Sequence, residues 1–307
     1  MNVIGIDTSN YTTSIASFNG INGTNCSRLL PVKLGELGLR QSDAVFSHIK
    51  SLPELSDRLF SDIEEKSIYA VGVSTRPRAV EGSYMPCFMV GYSHAKLLSD
   101  AFHVPLITVS HQQGHVAAAL WSAGRLDLMD RSHLAWHLSG GTTELLLVKP
   151  EGKNVVCTKI GGTTDISAGQ LIDRTGQLLQ LPFPSGKYLD VLSAQSKRQD
   201  VFLVRCENSF FSLSGVQNKV QQYHEKNASP ADTASFALRC IASAVFKATQ
   251  QAIQQYPNCT VVFSGGVASN SMLRQVMQPL HPVFAEPQYS TDNAMGVAVL
   301  AHRMMEG

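Results

Sequence analysis

Two copies of one strand–turn–strand segment constrain this chain more than any other feature. Residues 9–15 read Ser-Asn-Tyr-Thr-Thr-Ser-Ile, and residues 139–145 read Ser-Gly-Gly-Thr-Thr-Glu-Leu. Each follows one apolar strand and precedes another, so each reads as a β-hairpin with a hydroxyl-rich tip. The Ser-x-x-Thr-Thr pattern recurs 130 residues later, a spacing about the size of one domain. Two such units predict a duplicated fold whose tips face each other across a cleft. Backbone N–H groups and hydroxyls in such a tip suit an anion. On the repeat alone, two ordinary hairpins with polar tips fit equally well.

The remaining pattern alternates strands with helices, which is an α/β class. Strands are expected at residues 2–7, 14–18, 69–74, 106–109, 134–138, 144–148 and 260–263. Helices are expected at 43–49, 52–63, 90–102, 112–123, 167–181, 232–256 and 293–305, with a turn and helix over 266–278 and another helical patch after the Pro182–Gly186 loop. Pro53 suits the first turn of its helix, and Asp232 reads as the cap of the longest one. The expected division is an N-terminal lobe over 1–105, completed by the C-terminal helix 293–307, and a second lobe over 106–292. With 307 residues, 44% apolar and 16% charged, the chain is neither disordered nor a coiled coil.

A net charge of +1 and no run of Lys or Arg argue against an autonomous nucleic-acid binder. The six cysteines stand at least 19 residues apart, which excludes a CxxC metal or redox motif. Neither a signal peptide nor an apolar stretch of bilayer length is visible. A reducing cytoplasm and no membrane are therefore expected.

Four segments carry candidate chemistry. His111 and His115 are four apart where a strand enters a helix. That spacing puts both imidazoles on one helix face, in reach of a single metal; two capping or surface histidines are the competing reading. Ser264-Gly265-Gly266-Val267-Ala268-Ser269-Asn270 joins a strand to a helix N-terminus, a place where backbone approaches an anion closely or merely turns tightly. Asp292, just before the last helix, is a helix cap or a ligand. Asp173, on a mostly apolar helix, faces solvent or a cleft.

In this order the segments resemble one family, the glycoprotease-like proteins whose central member is the catalytic subunit of tRNA threonylcarbamoyladenosine synthase. The matching stretches run from residue 2 to about 303: VIGIDTSNYTTSIA, VGYSHAKLLSDAFHVPLITVSHQQGHVAA, LSGGTTELLLV, GQLIDRTGQLLQLPFPSG, FSLSGVQNKV, VVFSGGVASNSMLR and STDNAMGVA. The resemblance implies the actin-like, sugar-kinase-like ATPase fold, two lobes around a nucleotide cleft. It implies that His111, His115 and Asp292 hold one divalent metal, iron or zinc. It implies that His137, Leu138, Ser139, Gly140 and Gly141 form a substrate-binding turn, and that Asp173, Gly186 and Asn270 surround an adenine nucleotide or acyl-adenylate. The family's reaction attaches a threonylcarbamoyl group to a tRNA adenine. Contact with tRNA is expected only through partner subunits, and a dimer with a paralogue of the same fold is the expected assembly.

This chain departs from the family pattern around the reacting centre. A Thr-Ser-Cys-Asp-Glu-Thr turn is replaced by Thr8-Ser9-Asn10-Tyr11-Thr12-Thr13, without either acid. A Gly-Pro-Gly loop is replaced by Arg76-Pro77-Arg78. Thr142 stands for a histidine, Gln170 for a glutamate, and Val216-Gln217-Asn218 for Leu-Lys-Thr. The expectation is a diverged paralogue: a transferase with an altered acceptor or reduced activity, or a nucleotide-binding scaffold without turnover.

Overall fold

The computed structural model describes residues 1–31, 39–61, 63, 67–226, 229–291 and 293–306. In chain order the first elements are β1 (Asn2–Thr8), β2 (Thr12–Phe18), β3 (Gly23–Leu29), α1 (Gln41–Phe60), β4 (Ile68–Arg76), α2 (Phe88–Phe102), β5 (Leu106–Ser110) and α3 (His111–Ser122). Then come β6 (His133–Leu138), β7 (Thr143–Glu151), β8 (Asn154–Thr163), α4 (Ala168–Leu178), α5 (Gly186–Ser193), β9 (Cys206–Glu207), β10 (Phe210–Phe211), α6 (Ser214–Glu225) and α7 (Pro230–Gln255). The chain closes with β11 (Val261–Ser264), α8 (Ser271–Met277), β12 (Val283–Phe284) and α9 (Met295–Met305). Among the described residues, no helix is long and apolar enough to cross a membrane.

The described residues form two compact units, one from Met1–Arg131, Lys149–Cys157 and Thr291–Gly307, the other from Ser132–Val148 and Thr158–Ser290. The boundary expected at residue 105 is therefore misplaced. β5 pairs in parallel with β4, and α3 packs on α9 of the same unit, so residues 106–131 stay with the first unit.

The first unit carries a sheet in the order β3-β2-β1-β4-β5. The hairpin β1–β2 is antiparallel with Asp7 opposite Ser14, and β4 and β5 extend it in parallel. Side chains alternate along a strand, and here they sort cleanly. Ile4, Ile6 and Ile15 pack with Leu52, Leu55 and Leu59 of α1 and with Val90 and Ala95 of α2. The other face is built for close approach: a Cβ on Gly5 would lie 2.6 Å from the Ala294 carbonyl oxygen at the start of α9. Asp7 has the parity of Val3 and Gly5.

The second unit repeats the plan. Its sheet runs β12-β11-β6-β7-β8-β10-β9. Reading β6, β7, β8, β11 and β12 for β1 to β5 reproduces the first sheet's order, with β10 and β9 added at one edge. Trp136 lies at the centre of its core, fully buried, with its Nε1–H donating to Thr249 Oγ1 at 2.9 Å.

Three local expectations need correction. Residues 43–49 and 52–63 do not form two helices, because α1 runs unbroken through Pro53. One backbone hydrogen bond is lost there, but Ala44, His48, Leu52, Leu55 and Leu59 form one continuous buried stripe that holds the helix against the sheet. The cap of α7 is Ser229, whose side chain accepts from the Asp232 N–H, with Pro230 in the first turn. The last helix begins at Met295 rather than Asn293, whose side chain instead accepts from the Met295 N–H. Strands β3 and β8 and helix α6 were not anticipated. Each is largely polar or exposed on one side, so its apolar signal is weak.

Candidate functional site

In the first unit the site is built on α3. Its N-cap is Ser110, in a reciprocal capping box with Gln113, so the strand-to-helix junction is held at both donors. His111 is the first helical residue and His115 follows one turn later. Their ring centroids are 4.3 Å apart and nearly perpendicular, and the two Nε2 atoms approach to 2.9 Å. One proton fits between them. The Nδ1 of His111 meets the carboxylate of Asp7 at 2.9 and 3.1 Å. Asp7 is fully buried, and its Oδ1 also accepts from the Ser74 hydroxyl. The sequence reading missed both residues. Asp7 did carry a signal: it is a charged residue in an apolar strand, in phase with inward-facing positions.

The first hairpin tip adds a buried polar layer on the opposite sheet face. Thr13 Oγ1 and His48 Nδ1 are 2.7 Å apart, and desolvation holds the His48 imidazole below its usual range. The tip itself is tied down, since Asn10 accepts from the Gln41 amide at 2.7 Å and Tyr11 O accepts from Leu30 N at 2.8 Å. Arg76 lies in register with Ser110, and Pro77 O accepts from Gln112 N at 3.0 Å. The Arg-Pro-Arg loop is thereby pinned to the first turn of α3, with both arginines exposed.

Donor chemistry is the test of a metal here. Two nitrogens bound to one ion at ~2.0–2.1 Å stand ~3 Å apart when the angle between them is near a right angle. The observed Nε2 separation fits that, and a carboxylate behind the far nitrogen is the usual support of a metal-bound imidazole. Among the described residues, no group of three His, Cys, Asp or Glu side chains is arranged to hold an ion. Asp292, the third expected ligand, lies outside the described residues.

In the second unit, the residues expected at a nucleotide converge on α5. Asp173 Oδ1 accepts from Ser185 N at 2.9 Å, directly before Gly186. Burial pushes the Asp173 carboxyl up, and the Ser185 bond only partly offsets this. Asn270 caps α8, its Oδ1 accepting from Leu273 N at 3.0 Å, and its Nδ2 donates to Asp190 of α5 at 2.8 Å. His137 and Leu138 end β6. Ser139, Gly140 and Gly141 form the turn, closed by Ser139 N donating to Thr142 O and by Thr142 N donating to Ser139 Oγ. Ser167 at the start of α4 donates to Gly140 O at 2.6 Å, which joins this turn to the helix that bears Asp173. A Cβ on Gly140, Gly141, Gly186 or Gly266 would meet nothing within 4 Å. Gly265 is different: at φ +93° its Cβ would sit 2.1 Å from Leu138 O, so only glycine allows β11 to pass β6 there.

One of the departures has a structural explanation. Gln170 completes a capping box with Ser167, a role that glutamine and glutamate share. Asp165 is not a ligand-facing acid. It accepts from Leu213 N, Ser214 N and the Ser212 hydroxyl and so caps α6 from a distance. Burial raises its carboxyl, but the Ser212 and Ser214 hydroxyls and the two N–H groups outweigh that and hold it well below the usual carboxylate range. Its stabilising charge is complete above the unfolded value of about 3.9 and is lost as pH falls towards the lower folded value. Asp165→Asn is expected to cost about 1 kcal/mol at neutral pH, with the difference from the parent shrinking below about pH 4. Urea unfolding at several pH values checks this.

Comparisons with known proteins bear on the family and the fold. The family model for tRNA N6-adenosine threonylcarbamoyltransferase matches residues 38–299. The enzyme of that name from Carboxydothermus hydrogenoformans is 32% identical over 276 residues, covering 85% of this chain and 78% of that one. Its counterpart from Enterococcus faecalis is 31% identical over 263 residues, covering 77% and 73%. Among solved structures, HypF from T. kodakarensis superposes over all of this chain with a TM-score of 0.65 at 14% identity. This chain spans about half of that protein (48%). A ROK family glucokinase from Streptomyces griseus superposes over 99% of this chain and 100% of its own, with a TM-score of 0.56 at 10% identity. The structural likenesses establish the duplicated actin-like, sugar-kinase-like fold. Taken with the sequence matches, which span both units, they show that this chain belongs to the tRNA N6-adenosine threonylcarbamoyltransferase family.

Proposed function

We propose that the chain is a metal-dependent, adenine-nucleotide-binding transferase of carbamoyl-type groups, with an acceptor or a rate that differs from the family's tRNA reaction. The observation that carries this reading is the convergence of His111 and His115 Nε2 at 2.9 Å, with a buried carboxylate behind His111. A buried carboxylate is costly unless paired, and its pairing here with a histidine of the candidate site favours a functional role for that site over a bare scaffold.

In this reading His111, His115 and Asp292 hold one divalent ion, iron or zinc, which would polarise a carbamoyl or phosphate oxygen. Asp173 accepts from the ribose hydroxyls, Gly186 lets the nucleoside approach, and Asn270 faces the adenosine. The turn from Ser139 to Gly141, following His137 and Leu138, offers N–H groups and a hydroxyl to the substrate's anionic end. Arg76 and Arg78 favour a substrate with an additional phosphate or carboxylate, because a guanidinium grips either bidentately. A tRNA acceptor would be brought by partner subunits, including a paralogue of the same fold, since the net charge of +1 supplies little attraction of its own.

Elemental analysis of protein purified without chelator is expected to find about one metal per chain, lost in the His111→Ala, His115→Ala double variant. Calorimetry on the metal-loaded parent is expected to show ATP or AMP binding below millimolar concentration, weakened by Asp173→Ala. Absence of metal from the parent overturns the first half of the reading. Absence of nucleotide binding overturns the second.

A further inference from the structure

We infer that Asp7 is the positioning residue of the two-histidine site, holding His111 with its proton on Nδ1 and its Nε2 turned to His115. The inference deepens the proposed metal binding and rests on it for its consequence, whereas the proton's position belongs to the metal-free chain.

The argument starts from where Asp7 stands. The neighbouring positions on its sheet face are Val3 and Gly5, packed beneath α9, and nothing in that surface calls for a charge. A carboxylate with no exposure is strongly unfavourable unless its oxygens are satisfied. Here they meet two groups from different parts of the chain: the Ser74 hydroxyl near the end of β4, which donates to Oδ1, and His111 Nδ1 at the start of α3, 2.9 and 3.1 Å from the two oxygens. With Ser74 already donating to Oδ1, the carboxyl group presents acceptor oxygens to His111, and the inferred arrangement puts the proton of the Asp7–His111 contact on Nδ1. That assignment leaves His111 Nε2 as the atom that meets His115, 2.9 Å away. The capping box at Ser110 and Gln113 fixes the helix end, and Asp7 fixes the ring that the helix end carries. A ring held at one nitrogen has lost the rotation that would otherwise let its second nitrogen turn away from a ligand.

The same contact also ties α3 to the sheet, so a purely structural role must be separable. The full-length, metal-free chain with ¹⁵N-labelled histidines is examined by long-range ¹H–¹⁵N NMR, and zinc affinity is measured by chelator competition. A protonated Nδ1 on His111 is expected in the parent. Asp7→Asn, which keeps the shape and removes the charge, is expected to bind zinc about 10–100-fold more weakly at an unchanged circular-dichroism spectrum. A bare Nδ1 on His111 in the parent overturns the inference whatever the variants do. Unchanged zinc affinity in a folded Asp7→Asn overturns it too. Should the parent take up no zinc, the metal reading falls, and the proton's position alone decides the role of Asp7.

Discussion

Purified chain supplied with threonylcarbamoyl-adenylate, tRNA and the partner subunits of a housekeeping enzyme is expected to transfer the group about 10²–10³ times more slowly than a family member that retains both acids of the first turn, assayed with the same partners. The reason is what occupies that turn here. Charge that develops on a carbamoyl or phosphate centre is stabilised by groups already held in place. Tyr11 is exposed and Thr12 is buried at the start of β2, and neither carries a carboxylate. Asp7, four residues earlier, is no substitute, because its oxygens are engaged by Ser74 and His111 and it has no access to solvent. The neighbouring loop has changed in the same direction: backbone that glycines left open is now Arg76-Pro77-Arg78, bonded through Pro77 O to α3. The assay is a time course of modified nucleoside by mass spectrometry, run beside a housekeeping enzyme. Equal rates would mean that other groups replace the missing acids, and the proposal of an altered acceptor would fall. Slow transfer to tRNA with binding of the adenylate intact is the expected pattern.

Replacing Gly296 by alanine is expected to destabilise the chain by about 3 kcal/mol, the upper end of ordinary overpacking costs. A Cβ there would lie 1.8 Å from the Gly114 carbonyl oxygen and 2.8 Å from Ala118 N. Both are backbone atoms of α3, so no rotamer change relieves the clash, and the two helices must separate. Intrinsic helix propensity works the other way, favouring alanine over glycine by about 1 kcal/mol, and is outweighed. For a chain of this size the loss corresponds to a fall in Tm of about 5 °C. Gly215→Ala in α6 is the control. A Cβ at that position meets nothing within 4 Å, so its expected effect is neutral to slightly stabilising. Because α3 carries His111 and His115, Gly296→Ala is also expected to weaken metal uptake, whereas Gly215→Ala is not.

The duplicated hairpins were legible because they depend on period-two alternation and on turn chemistry, both local. The sheet orders β3-β2-β1-β4-β5 and β8-β7-β6-β11-β12 then carried that repeat through each unit. The face shared by His111 and His115 was legible for the same kind of reason, since four residues make about one helical turn. So was the glycine turn between β11 and α8. Asp7 was another matter. Its role depends on β1 pairing in parallel with β4, which brings Ser74 alongside, and on β5 delivering α3 to the same sheet face. Those contacts join residues 67 and 104 positions apart, and no local pattern encodes them. Pro53 shows the converse case. Its local preference is to begin a helix, but the buried stripe from Ala44 to Leu59 overrides it. Capping of α6 by Asp165 across 48 residues, and convergence of Asp173, Gly186 and Asn270 on α5, were likewise decided by packing. Local chemistry determined which side chains could serve a site, and tertiary structure decided which of them meet, because a hydrogen bond of 2.9 Å depends on position in space and not on distance along the chain.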